Sequence, residues 1–206
     1  MSRTEPPSTR VIDRIAHDFE LLDVWPLPVT GRHEEFDDVI ELIAAFDPKG
    51  SGTFLTRALF LVRHLLGTLL GWDDPAKERL VPGTTERTLR DRLPDDLRIV
   101  GAAPHPGDGL RTYGFAPLYR TGDEWAAEIS NDTVHGVLHL GWLREPGGLH
   151  RAHLSVYVKP RGALGRAYLM LIQPFRHLLV YPALLRVVER RWEASRGRPS
   201  GHGPRD

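Results

Sequence analysis

Apolar residues recur every three or four positions near both ends of the chain and every second position through its later middle. Residues 18–25 read as a first strand, ended by Pro26-Leu-Pro28. Residues 34–46 predict an amphipathic helix. Phe36, Val39, Ile40 and Ile43 share one side, and Glu34, Asp37, Asp38 and Glu41 cover the other. Asp47-Pro-Lys-Gly50 stops it. A second, more apolar helix is expected over 53–70, with Gly71 where a C-cap belongs. The polar connector over 73–96 is long for a structureless loop, which predicts a helical turn near 85–93.

From Leu97 the period changes to two. Strands are expected over 97–100, 112–120, 124–130, 133–143 and 150–158, separated by short Gly-, Asn- and Asp-rich turns. Links this short force antiparallel neighbours, because a parallel crossover needs a dozen or more residues. A long helix then runs over 162–193, with Leu164, Tyr168, Leu171, Phe175, Leu185, Val188 and Trp192 along one stripe. Pro174 and Pro182 predict a kink or break in it. The order gives an α+β fold in which a curved antiparallel sheet wraps the terminal helix, with two helices after the first strand. Residues 1–11 read as a disordered leader, 12–194 as one domain and 195–206 as a disordered tail.

Composition narrows the chemistry. The 206 residues contain no cysteine, which excludes disulfides and thiolate catalysis. Residues 151–206 carry 11 Lys and Arg against 3 Asp and Glu, a net +8, which leaves −8 on the rest. No helix-turn-helix, zinc finger or aromatic RNA-binding pattern accompanies that basic end, so nucleic acid is not an expected partner. The amino terminus has no apolar secretory core, and a cytoplasmic protein is expected. Arg166, Arg176, His177 and Arg186 interrupt the apolar run near the end, which excludes a spanning helix and leaves a membrane-surface helix as one reading.

The richest polar cluster is 130–142. On a strand, His135 and His139 share one side with Thr133 and Val137, while Val134, Leu138, Leu140 and Trp142 share the other. In the following strand His153 and Tyr157 fall on the polar side. If the apolar sides align, the three histidines stand opposite the main core. They then serve as a structural or solvated surface, or as a polar patch lining a ligand cavity. Two histidines four residues apart on a strand are about 13 Å apart, too far to share one zinc ion. No metal or cofactor is expected, and no phosphate-binding loop, nucleophile elbow or metalloprotease motif is present. Tyr113, Phe115 and Tyr119 share a strand side and, like Trp125 and Trp142, default to core packing.

Residues 133–142, 158–168 and 174–182 resemble a bacterial domain family of unknown function grouped with the START-like, polyketide-cyclase and birch-allergen-type helix-grip proteins. The resemblance extends over about 15–192. It implies a cavity between the sheet and the terminal helix that takes a small hydrophobic or amphipathic molecule. Tyr113, Phe115, Trp125, His135, His139, Tyr168 and Phe175 are its candidate lining. It transfers no catalytic residues. A non-catalytic binder is the leading expectation. The alternatives are a cyclase- or dehydratase-like enzyme using His135, His139, His153, Tyr113 or Tyr157 as acid or base, and a membrane-surface or interaction module. Oligomeric state is open.

Overall fold

The computed structural model describes residues 10–45, 79–98, 105–175 and 181–196. Four strands form the expected meander: β2 (Ala116–Arg120), β3 (Glu124–Ser130), β4 (Val134–Arg144) and β5 (His150–Pro160). Each turn is closed by its own residues. Between β3 and β4, the Asn131 side-chain oxygen accepts the Thr133 and Val134 amides and the Thr133 hydroxyl. The earliest strand, β1 (Glu20–Gly31), pairs antiparallel with the last one, so the order is β1-β5-β4-β3-β2. Among the described residues four α-helices accompany this sheet: α1 (Val11–Ile15), α2 (Phe36–Ala44), α3 (Gly162–Phe175) and α4 (Tyr181–Arg196).

Period two gives the sheet two apolar sides, and each is covered by a different layer. On the helix side, Leu27, Val29, Trp125, Leu140, Trp142 and Leu154 pack against Phe36, Val39 and Ile40 of α2 and Val188 and Trp192 of α4. Three buried indole N–H groups of this core find a carbonyl: Trp125 at Pro106, Trp142 at Arg32 and Trp192 at Thr30, all at 3.1–3.2 Å. Gly107 makes room for Trp125. Its φ is +90°, and a Cβ there would lie 2.5 Å from the indole ring. On the far side, Leu118, Tyr119, Ala126 and Val137 are covered by Ile12 and Ile15 of α1, by Phe19, and by Val81, Leu89 and Leu93.

Several expectations need correction. The first strand does not end at Pro26 but continues through Pro28 to Gly31. β1 is an edge strand with one neighbour, so a residue lacking N–H is tolerated, and the ladder shifts register between Pro26 and Thr30. Val11, placed in the leader, starts a helix and is buried. The strand expected over 112–120 begins only at Ala116; a 3-10 helix, Asp108–Tyr113, precedes it, set between Gly107 and Gly114 in the left-handed region. In place of a strand from Leu97 there is a 3-10 turn, Asp95–Leu97, and 99–100 lie outside the described residues. The helical turn expected near 85–93 is present as the 3-10 helix Leu89–Arg92, capped by the Thr88 hydroxyl. The terminal helix is described as two shorter segments, α3 and α4, rather than one long rod, with residues 176–180 outside the description. The helix expected over 53–70 also lies outside it.

Trp192 joins α4 to both β1 and the core, with its indole on Thr30 and the Arg196 guanidinium over its ring at 4.9 Å. Trp192→Ala should lower unfolding free energy by about 3–5 kcal/mol, read as a lower urea midpoint with an unchanged slope.

Candidate functional site

The far side of the sheet carries two repeats of one arrangement. Glu124 and Glu128 are four residues apart on β3, and His139 and His135 are four apart on β4. The register pairs Ala126 with His139 and Ser130 with His135, so each glutamate meets its histidine on the diagonal. The His135 ring donates from Nε2 to Glu128 at 2.8 Å, and the His139 ring to Glu124 at 3.3 Å. Each carboxylate also caps a segment of the covering layer. Glu124 accepts the Val11 and Ile12 amides at the start of α1, both at 3.3 Å, and the Tyr119 hydroxyl at 2.9 Å. Glu128 accepts the Leu89 amide at 3.0 Å and the Thr88 hydroxyl, at the start of the 3-10 helix Leu89–Arg92. Backbone donors at a helix start are the natural partner of a buried anion.

This arrangement is closed. His135 is 0% and His139 1% exposed. Neither Nδ1 has a hydrogen-bond partner in the protein. Phe19 stands edge-on to His135 at 5.5 Å and Tyr157 edge-on to His139 at 6.3 Å. Since a carboxylate only accepts, Nε2 carries the proton that bonds each glutamate. Burial alone would raise the Glu124 carboxyl, but the hydrogen bonds from His139 and Tyr119 outweigh it and hold it below its ordinary value. Burial and the neighbouring carboxylate push the Tyr119 hydroxyl far up, so it remains a donor. Toward the edge of this side, burial lowers His153 and raises Tyr157.

A polar depression of about 580 Å³ opens where α1 meets residues 84–92, lined by Arg14, His17, Asp18, Thr84, Thr85, Glu86 and Arg92. Asp18, Glu86 and Arg92 of this lining are engaged with one another. Arg92 bonds Asp18 at 2.5 Å, Glu86 at 2.6 Å and the Ile15 carbonyl at 2.7 Å, and Lys159 reaches Asp18 at 2.6 Å. The Arg92 hydrogen bond holds the Asp18 carboxyl well below the carboxylate range. This network fastens the covering layer rather than awaiting a guest.

The helix side is less complete. Its side chains fall in cross-strand rows. The row Trp25–Leu154–Leu140–Trp125 lies within the α2–α4 core. The next row, Asp23–Val156–Leu138–Ala127, is different: Val156 and Leu138, on the two central strands, are only partly buried. Ile129 and Phe115 nearby are also partly buried, and Ile129 pairs with Gly136, where a Cβ would lie 3.4 Å from its side chain. α3 starts beside this strip, seated by Gly165, where a Cβ would lie 2.1 Å from the Thr133 carbonyl. Its Tyr168 and Leu169 are partly buried, while Leu164, Met170 and Leu171 are 56%, 69% and 65% exposed.

The expected lining residues therefore divide. Phe115 packs at the margin of the helix-side core, Trp125 lies fully within it, and Tyr168 stands on α3. His135 and His139 are on the opposite side of the sheet, as are His153 and Tyr157. Tyr113 and Phe175 end their helices, and their side chains lie outside the described residues. Glu124 and Glu128 were missed. Their repeat of four on β3, matched by the histidine repeat on β4, was the available signal.

A family model covers residues 15–183, from the end of α1 into α4. The chain belongs to the DUF2867 family, described as a protein of unknown function. No curated protein and no solved structure matches this DUF2867 chain. Among its described residues no helix is long and apolar enough to cross a membrane.

Because the Glu124 carboxyl is held below the ordinary glutamate value of 4.5, its contribution to stability is complete above pH 4.5 and is lost as pH falls through the folded-state value. Urea melts between pH 7 and pH 3 should show this loss in the wild type and a shallower one in Glu124→Gln. Glu128→Ala removes the cap on Leu89 and the His135 partner together, and should cost about 3 kcal/mol at neutral pH in the same melts.

Proposed function

We propose that this DUF2867 chain is a helix-grip protein of the START and birch-allergen type that binds a small hydrophobic or amphipathic molecule without transforming it. The order strand, helix, meander, terminal helices, with the first strand paired to the last, supports the grip architecture. One observation carries the binding reading. Leu138 and Val156, paired on neighbouring inner strands, are only partly buried. Central apolar positions that the described side chains do not fully cover are where an apolar guest gains most from leaving water. Ile129, two residues beyond Ala127 on β3, and Phe115, packed on the helix-side core, lie on the same side. The absence of catalysis is supported by the histidines: both buried rings are closed off and committed to glutamates on the other side of the sheet.

Titration with the fluorescent apolar probe N-phenyl-1-naphthylamine should give saturable binding at one site per chain. Leu138→Gln, which places an amide in the strip, should weaken it by roughly tenfold or more while far-UV circular dichroism is unchanged. Absence of saturable binding by the wild type rejects the reading.

A second reading is favoured by α3, whose outer side presents Leu164, Met170 and Leu171 to solvent beside Arg166. Such a surface suits contact with a lipid bilayer. The chain should float with phosphatidylcholine vesicles that contain phosphatidylserine, and Met170→Glu should abolish flotation.

A further inference from the structure

We infer that His33 and His150 form an acid-sensitive clasp. They hold the start of α2 against the sheet while both rings are neutral, and they loosen it once the pair takes up protons. The clasp is independent of the binding strip proposed above.

His33 opens the 3-10 helix His33–Glu35, which runs directly into α2. His150 is the first residue of β5, paired with Gly31 on β1 and Arg144 on β4. The two histidines are distant in the chain, yet their ring centroids lie 5.2 Å apart at an angle of 49°. His150 is stacked in turn on Trp142 at 5.8 Å and 18°. Trp142 is stacked on Phe36, the first residue of α2, at 5.9 Å and 14°, and its indole donates to the Arg32 carbonyl just before His33. These four rings tie the start of α2 to β4 and β5. His33 is exposed, whereas the His150 Nδ1 is buried with no hydrogen-bond partner among the described residues.

Neutral imidazoles suit this contact and charged ones do not. A protonated imidazole carries a hydrogen on both nitrogens, and at the His150 Nδ1 it would have no acceptor. Burial, then His33, then Arg144 on β4 hold His150 below its ordinary value of 6.5, against the opposite pull of Asp123 in the turn before β3 and of Glu34. The other charges around the four rings are paired. Glu35 is shared by Arg32 and by Arg196 of α4, and Asp37 meets Arg120 beyond Phe36. A histidine lowered by folding is protonated first in the unfolded chain. Its contribution is therefore complete above about pH 6.5 and is lost as pH falls from there toward the folded-state value. That window lies above the one in which Glu124 titrates.

The test is a double-mutant cycle of urea melts on the wild type, His33→Gln, His150→Gln and the double variant, at pH 8 and at pH 5. At pH 8 the two substitutions should show no repulsion between the rings. At pH 5 the wild-type unfolding constant should exceed the value expected from the other three proteins by about twofold to fourfold, the upper figure being two unit charges at this separation in water. A coupling that is the same at both pH values, as packing alone would give, overturns the inference. His33 is exposed, so its replacement leaves the core intact, and one comparison stands even if His150→Gln does not fold. Between pH 8 and pH 5 the wild type should lose stability by a larger factor than His33→Gln, and an equal loss overturns the clasp. Hydrogen exchange, corrected for its intrinsic pH dependence, should show where the loosening occurs. Acid should speed exchange over 33–44 relative to 134–144 in the wild type and not in His33→Gln. The same acceleration in both proteins overturns the link to α2.

Discussion

A carboxylate taken out of water must be given donors, and the far side of this sheet is organised by that requirement. Glu124 and Glu128 lie under a covering layer that is itself made of short pieces, a five-residue helix and single 3-10 turns. Helices so short are not stable alone. They persist because their first amides and the buried carboxylates need each other, and because the histidines of the neighbouring strand complete each carboxylate. Loss of either partner leaves a buried polar group unsatisfied, which costs more than the bond contributes when made.

That solution divides the labour of the two sides. The far side is closed and polar at its centre, with every charge of the Asp18–Glu86–Arg92–Lys159 network engaged around its rim. The helix side is apolar and finished only over its upper rows, where three tryptophans anchor α2 and α4. On the far side the His135 and His139 rings are buried and engaged by Glu128 and Glu124. On the helix side Leu138 and Val156, apolar residues of the inner strands, are partly buried.

Much of the sheet was legible because its signal is local. Strands β3, β4 and β5 follow from alternation and Gly- or Asn-rich turns, and their boundaries fall within two residues of expectation. The separation of His135 and His139 from the apolar side followed from the same period. What escaped depends on partners distant in the chain. Val11 and Ile12 form a helix because Glu124, over a hundred residues away, receives their amides. Whether the histidine side met solvent, a cavity or protein could not be read from β4 itself, because the covering residues 79–98 have no strong periodicity. Pro26 and Pro28 read as a stop until the strand's place at the edge is known.

Those prolines have a counterpart. Pro117 lies in β2, the opposite margin, with its carbonyl held by Arg90 at 2.7 Å, while the three inner strands carry no proline until Pro160 closes β5. Both open margins are thus poor templates for an incoming strand from another molecule. Self-association by ribbon extension, the common route of open sheets to insoluble fibrils, is discouraged at each end by the covalent chemistry of the backbone.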